Sequence, residues 1–397
     1  MQFRRSFDMS ELVKYVNRYG TASLKWDLLE RIYGEKDMLS MWVADMDFRC
    51  PECVHEAMLE QMQVGAYGYA ALHTRFLNAF AQWEQTRHGY TVDPSWLRYA
   101  PGVVPAVNWC VATMTEPGDS VMVLTPVYYP FFSAVTDHNR NLVMSDLVME
   151  NGEYKMDFAD MEEKIKATNV KMLIFCSPHN PIGRVWRREE LEALVALCKK
   201  YSVCIVSDEI HQDFVFEGHE HIPLGKLTED NMVILTAPSK TFNLAGMNTA
   251  VAVIPQEDLR AKWDAMTKKL HVTSGSTFGY LAGEAAYLHG APWLDEVKQI
   301  IRSNFELLRD KLLAAFPKLM IPDLEGTYLM WVDFDAYLKP DEQKEFFVKK
   351  CKIALDYGSW FRGNAETFVR FNVATSRENV EKAADAIIAA LNEKLSA

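Results

Sequence analysis

This sequence is short of positive charge. Its 42 lysines and arginines stand against 54 aspartates and glutamates, for a net charge of −12. A nucleic-acid binder would show a basic footprint, so that class is excluded. Any anionic substrate must instead be captured by a local cluster of donors, against the overall field. No apolar run is long enough to span a bilayer. No apolar core follows the two arginines of "MQFRRSFDMSELV", so no signal peptide is expected and the expected location is cytoplasmic. Cysteine is sparse and odd in number, at seven, and scattered mostly through apolar segments. That is the usage of reduced, buried thiols. Cys50-x-x-Cys53 has no second pair and is interrupted by Pro51, so neither metal nor redox chemistry is read into it. Walker A, GxGxxG, HExxH and GxSxG motifs are all missing. So are internal repeats, low-complexity tracts and long linkers.

What is present is an ordinary globular composition, 49% hydrophobic and 24% charged, on a chain of 397 residues, beyond the usual size of a single core. Short apolar runs rich in β-branched residues recur at 120–127, 170–178, 203–210, 232–238 and 249–255. Continuous rather than alternating apolarity predicts strands covered on both faces. Between two of them, "REELEALVALCKKYS" places Leu191, Leu194, Val195 and Cys198 on one helical face. Strand–helix alternation predicts an α/β fold with a mostly parallel sheet. The C-terminal third changes character. "GTYLMWVDF" and "VRFNV" read as strands, and a capping box from Thr375 to Glu378 opens a final helix, as expected of a smaller α+β domain.

In open α/β sheets ligands bind beyond the carboxyl ends of the strands, so polar residues ending apolar strands are the ones to inspect. Three such runs deliver Asp208, the "SPHNPIG" loop with Asn180, and Lys240 within "TAPSKTFNLAG". A carboxylate, a carboxamide and an amine at one sheet edge suit pyridoxal phosphate (PLP). Its aldehyde needs a lysine for a Schiff base, and its ring nitrogen an acidic partner. Asn180 and His211 are candidates for the phenolic oxygen, and Tyr128 for stacking on the ring. For the phosphate, the helix start in "PGVVPAVNWCVATM" offers backbone donors around Gly102, Val103 and Val104. In "HQDFVFEGHEH", His219 and His221 fit no usual metal spacing and are read as a solvated loop; His88 is read as structural.

Several motifs carry a resemblance over essentially the whole length: "TASLKWD", "MWVADMDF", "GAYGYA", "RHGY", "SDEIHQD" and "APSKTFNLAG". The sequence resembles the fold-type I PLP enzymes of the class I/II aminotransferase superfamily, and within it the cystathionine β-lyase (C–S lyase, MalY/PatB-type) branch. The resemblance implies a PLP-dependent transferase fold. Its large domain, at 49–286, would hold a mostly parallel, seven-stranded-type sheet, and a small domain would combine 1–48 with 287–397. It implies Lys240 as the Schiff-base lysine, Asp208 as the pyridinium partner, Asn180 as phenolic-oxygen ligand and Tyr128 as stacking ring. Arg370 in "FVRFN" would clamp the substrate α-carboxylate, with Ala44 of "WVADMDF" also at the substrate. Tyr69 would reach across a homodimer interface to the neighbour's phosphate. Two positions depart from the pattern. Ala237 and Asn248 stand where relatives carry a phosphate-binding serine and arginine, so the phosphate falls to Gly102–Val104, Ser239 and Tyr69, with Thr236 in reserve. The activity implied is α,β-elimination of L-cystathionine or related S-substituted L-cysteines to pyruvate, ammonia and a thiol. The alternatives are an aminotransferase with the same site, or a lyase that also binds a regulatory protein partner.

Overall fold

The computed structural model describes residues 12–70 and 74–396. Seven strands form the main sheet: β1 (Leu97–Ala100), β2 (Ser120–Thr125), β3 (Asn141–Asp146), β4 (Val170–Cys176), β5 (Cys204–Asp208), β6 (Met232–Thr236) and β7 (Ala250–Val253). Their spatial order is β1-β7-β6-β5-β4-β2-β3. The pairs β6–β5, β5–β4, β4–β2 and β2–β3 are parallel, while β7 runs antiparallel to both of its neighbours.

Successive side chains of a strand point to opposite faces, and here both faces are covered. Val121 and Val123 enter one apolar cluster with the helix α1 (Val103–Met114), whose buried side is Val103, Ala106, Val107, Cys110 and Val111. Met122 and Leu124 enter the other cluster, together with Leu191, Leu194 and Cys198 from the helix α2 (Arg188–Lys200). That double burial is why these strands read as unbroken apolar runs.

A second, antiparallel sheet has the order β8-β10-β9, built from β8 (Leu329–Asp333), β9 (Asp356–Tyr357) and β10 (Phe368–Asn372). Leu39–Ser40 pairs in parallel with Ile353–Ala354, tying the early chain to this late region. The last helix runs from Arg377 to Ser396. Its entry differs from the capping box expected at Thr375. Ser376 Oγ accepts from the Asn379 amide at 3.2 Å, while Thr375 Oγ1 accepts from the Asn379 side chain at 2.8 Å. The cap falls one residue later because the Asn379 carboxamide occupies the Thr375 hydroxyl.

Candidate active site

Register brings the strand ends level: Cys176 pairs with Asp208, and Asp208 with Leu235. The residues that follow therefore gather at one edge, around a cleft with about 880 Å³ of empty space, part of it open to solvent. Lys240, Asp208, Asn180, His211 and Tyr128 all line it, as do Ala44, Ser239 and the Gly102–Val104 segment. Sequence reasoning thus named residues that the fold does bring together. Tyr69 is not among them; it stands fully exposed between two helices and away from this cleft. Thr236 also lies elsewhere, buried with its hydroxyl toward the Glu209 carbonyl at 3.4 Å. Ala237 and Asn248 do line the cleft, so the two departures fall inside the site.

Lys240 sits on a one-turn helix, Pro238–Thr241, started by a proline at its first position. Its Nζ donates to the Ala44 carbonyl at 2.6 Å. Burial pulls the amine down to about 8; the charge of Arg370 acts in the same direction, and Asp45 and Asp208 oppose them. The turn is held from two sides. Thr241 Oγ1 donates to Asp213 Oδ2 at 2.7 Å. Asn243 accepts from the Met46 amide at 3.0 Å and donates to the carbonyls of Met46 and Phe48, each at 2.8 Å. These bonds lay the "WVADMDF" segment across the lysine. The segment is itself pinned by buried Lys25, whose Nζ meets Asp47 at 3.0 Å, and by Trp26, which donates to the other oxygen of Asp47 at 2.8 Å. The "TASLKWD" and "WVADMDF" motifs are therefore two halves of one lock.

Asp208 is buried, and burial pushes its carboxyl up to about 7, moderated by the Ile210 amide at 3.1 Å and by the charge of Lys240. Among the described residues its carboxylate is bonded by the Ile210 amide and by no cationic side chain. His211 is buried on a turn with Nδ1 unpartnered, and burial holds its pKa well below the ordinary value. Arg370, on β10, reaches the site through Asn180, donating to its Oδ1 at 2.9 Å. It also donates to the Trp42 carbonyl at 3.0 Å and pairs with Asp356.

Three features escaped sequence reasoning. Asp356 is a lone carboxylate in the apolar run "CKIALDYGSW", and only strand pairing reveals its partner. The "RHGY" and "SDEIHQD" motifs meet where His88 Nε2 lies 2.9 Å from Asp213 Oδ1, an atom to which Trp83 also donates at 3.0 Å. His221, expected in a solvated loop, is buried 3.0 Å from Glu209 Oε2. The correction follows from Glu209, a buried carboxylate that needs donors and takes others from Ser207 and the Leu224 amide. No cluster able to hold a metal ion occurs among the described residues.

The residues fit PLP. A deeply buried carboxyl without a cation, an amine of depressed pKa and a helix start opening into the same cleft match its ring nitrogen, aldehyde and phosphate. A mostly parallel sheet with that donor set at its carboxyl edge defines a fold-type I enzyme. The chain belongs to the aminotransferase class I and II family, which it matches over residues 36–387. It is 39% identical over 383 residues to the cystathionine beta-lyase PatB of Bacillus subtilis (strain 168), covering 96% of this chain and 99% of that protein. Cystalysin from Treponema denticola, solved with a pyridoxal 5'-phosphate cofactor, superposes with a TM-score of 0.93 at 32% identity, covering 98% of this chain and 100% of that one. The PLP-bound C-S lyase from Staphylococcus hominis gives 0.90 at 32% identity, covering 95% and 97%.

Proposed function

We propose that this protein is a PLP-dependent carbon–sulfur β-lyase, eliminating a thiol from L-cystathionine or related S-substituted L-cysteines to leave pyruvate and ammonia. The observation that carries the reading is the Lys240 amine, near 8, in one cleft with buried Asp208. The naming of PatB and of the Staphylococcus hominis enzyme supports elimination over amino transfer.

PLP, when bound, makes the Cα–H bond of an amino acid acidic and lets a leaving group depart from Cβ. The chain's own residues do the rest. Lys240 would hold the cofactor's aldehyde, and its Nζ, when free, would accept the Cα proton. With a pKa near 8, roughly one amine in ten is unprotonated at pH 7. Asp208 would hold a proton on the ring nitrogen; burial makes its ionised form unfavourable until such a cationic partner is bound. Asn180 gives Oδ1 to Arg370, which leaves its Nδ2 donor for the phenolic oxygen. His211 and Tyr128 line the same cleft and would meet the phenolic oxygen and the ring face. The Val103 and Val104 amides and the Ser239 hydroxyl would take the phosphate, and Arg370 would take the substrate α-carboxylate, with Ala44 lining the same cleft. A thiolate leaves from Cβ far more readily than hydroxide because thiols are much stronger acids than water.

A homodimer completes the proposal. Tyr69 is fully exposed, and the segment that precedes it also exposes Leu59, Met62, Val64 and Tyr67, apolar surface of the kind that marks interaction sites. The pairing of Leu39–Ser40 with Ile353–Ala354 supports grouping 1–48 with 287–397 as one domain and 49–286 as the other. The deciding assay supplies cystathionine and measures pyruvate and free thiol. Lys240→Ala should abolish both products and the adduct that borohydride fixes at that position. Keto-acid-dependent amino transfer without pyruvate would overturn the lyase reading in favour of an aminotransferase.

A further inference from the structure

Arg370 and Asp356 are directly opposed on the antiparallel strands β10 and β9. Their side chains are 2% and 1% exposed and form an ion pair. The charge of Arg370 also reaches Lys240, which would hold the cofactor in the loaded enzyme, and His211; its other direct contacts carry no charge. They are Asn180 Oδ1 at 2.9 Å, the Trp42 carbonyl at 3.0 Å and the Phe361 ring, whose centre lies 5.0 Å away. Around Asp356 the titratable groups are phenols: Tyr33 from the helix Leu29–Tyr33, Tyr128 and Tyr129 from the segment after β2, and Tyr357 beside it. Its Oδ1 is buried without a hydrogen-bond partner among the described residues.

One buried cation is thus already matched by one buried anion before any substrate arrives. An amino-acid carboxylate reaching Arg370 would put two anions against a single guanidinium, and like charges sharing a dry site do not both stay ionised. The unpartnered Oδ1 is where a proton can be held. We propose that Asp356 is a positioning residue for the substrate carboxylate: it fixes the plane of the Arg370 guanidinium and takes up one proton from solvent when the carboxylate binds. The inference rests on the assignment of Arg370 as the carboxylate clamp. Burial already pushes the free Asp356 carboxyl up to about 6, against the opposing charge of Arg370. Binding and protonation are then linked, so carboxylate affinity weakens as Asp356 ionises.

The test uses the PLP-loaded enzyme and 3-(benzylthio)propanoate, a thioether acid with no α-amine that cannot displace Lys240. Calorimetric titration in two buffers of different ionisation heat counts the protons taken up. The expected result is net uptake at pH 7 in the wild type and markedly less in Asp356→Asn, which keeps an oxygen for Arg370. The inhibition constant should rise by up to about tenfold per pH unit above pH 6 in the wild type and stay nearly flat in the variant. A proton gained elsewhere occurs in both proteins and cancels in the comparison. Equal uptake and equal pH slopes would overturn the proposal. Should the variant fail to fold, the infrared difference spectrum of the wild type decides, using acid labelled with carbon-13 at its carboxyl. A new protonated-carboxyl band supports the proposal and its absence refutes it. Arg370→Lys separates the two levels. Unchanged affinity for the acid removes the clamp itself, whereas weakened affinity with identical slopes in wild type and Asp356→Asn removes only the role of Asp356.

Discussion

Lysine is almost never fully buried without a partner, yet Lys240 faces a backbone carbonyl rather than a carboxylate. Its depressed pKa follows from that choice. A tight ion pair would hold the amine protonated, while burial with a neutral acceptor leaves it able to work as a base. Asp45 is the nearest brake, because its charge raises the amine's pKa. Asp45→Asn should therefore lower the pKa of Lys240 further. The acid limb of the kcat profile, which reports the substrate complex, should move to lower pH; a limb that stays in place would show that Asp45 is screened by Arg18, 2.7 Å away. The lysine's buried place in the cleft was legible in the sequence because its small, apolar neighbours are anomalous for a charged residue. Asp356 was not legible, since nothing local distinguishes a buried partner from a surface carboxylate in "LDYG".

The strands that showed plainly in the sequence, β2, β4, β5, β6 and β7, are interior and covered on both faces. β1 and β3 lie at the two ends of the sheet; "LRYA" is interrupted by a half-buried arginine and "NLVMSD" mixes buried with exposed positions, so their apolar signal is weak. The reversed direction of β7 is likewise invisible to composition, which is the same for either direction. At this scale the buried network behind the lysine makes a stability prediction. Glu84, on the helix Thr74–His88, is fully buried and accepts from Gln212 at 2.5 Å. Burial raises its carboxyl from the ordinary 4.5 to about 7, with His88 opposing. The folded state therefore binds more protons than the unfolded chain between these values. The stabilising contribution is present below 4.5 and is lost as pH rises through about 7, a change of roughly 3 kcal/mol. His88, lowered by burial but raised on balance by its bond to Asp213, contributes with the same sign. Denaturant unfolding of Glu84→Gln should accordingly show a shallower loss of stability between pH 5 and 8 than the wild type. Equal slopes would mean that Glu84 does not carry the proton.

For the whole molecule, a net charge of −12 means that the cleft must capture anionic groups by local geometry alone. Within one chain, the proposed phosphate end would have a helix start and Ser239, but Asn248 and Ala237 where the resemblance implies an arginine and a serine. Tyr69, fully exposed and not lining its own chain's cleft, would supply what is missing only under the proposed homodimer, from another copy. Sequence reasoning reached that idea through resemblance and not through any local pattern, because an exposed tyrosine looks alike whether it faces water or a partner. Composite sites make a prediction that no single-chain arrangement shares. Tyr69→Ala alone should weaken PLP binding by about tenfold, the loss expected for one hydrogen bond to a charged group, and Lys240→Ala should be inactive. Unfolded together and refolded as a mixture with PLP limiting, the two variants should regain lyase activity. Each mixed dimer pairs an intact Lys240 on one chain with an intact Tyr69 on the other, so random assembly restores about a quarter of the sites to wild-type composition. If Tyr69 served its own chain's cleft, every site in the mixture would carry one defect or the other, and refolding together would yield no more than the average of the two variants measured apart.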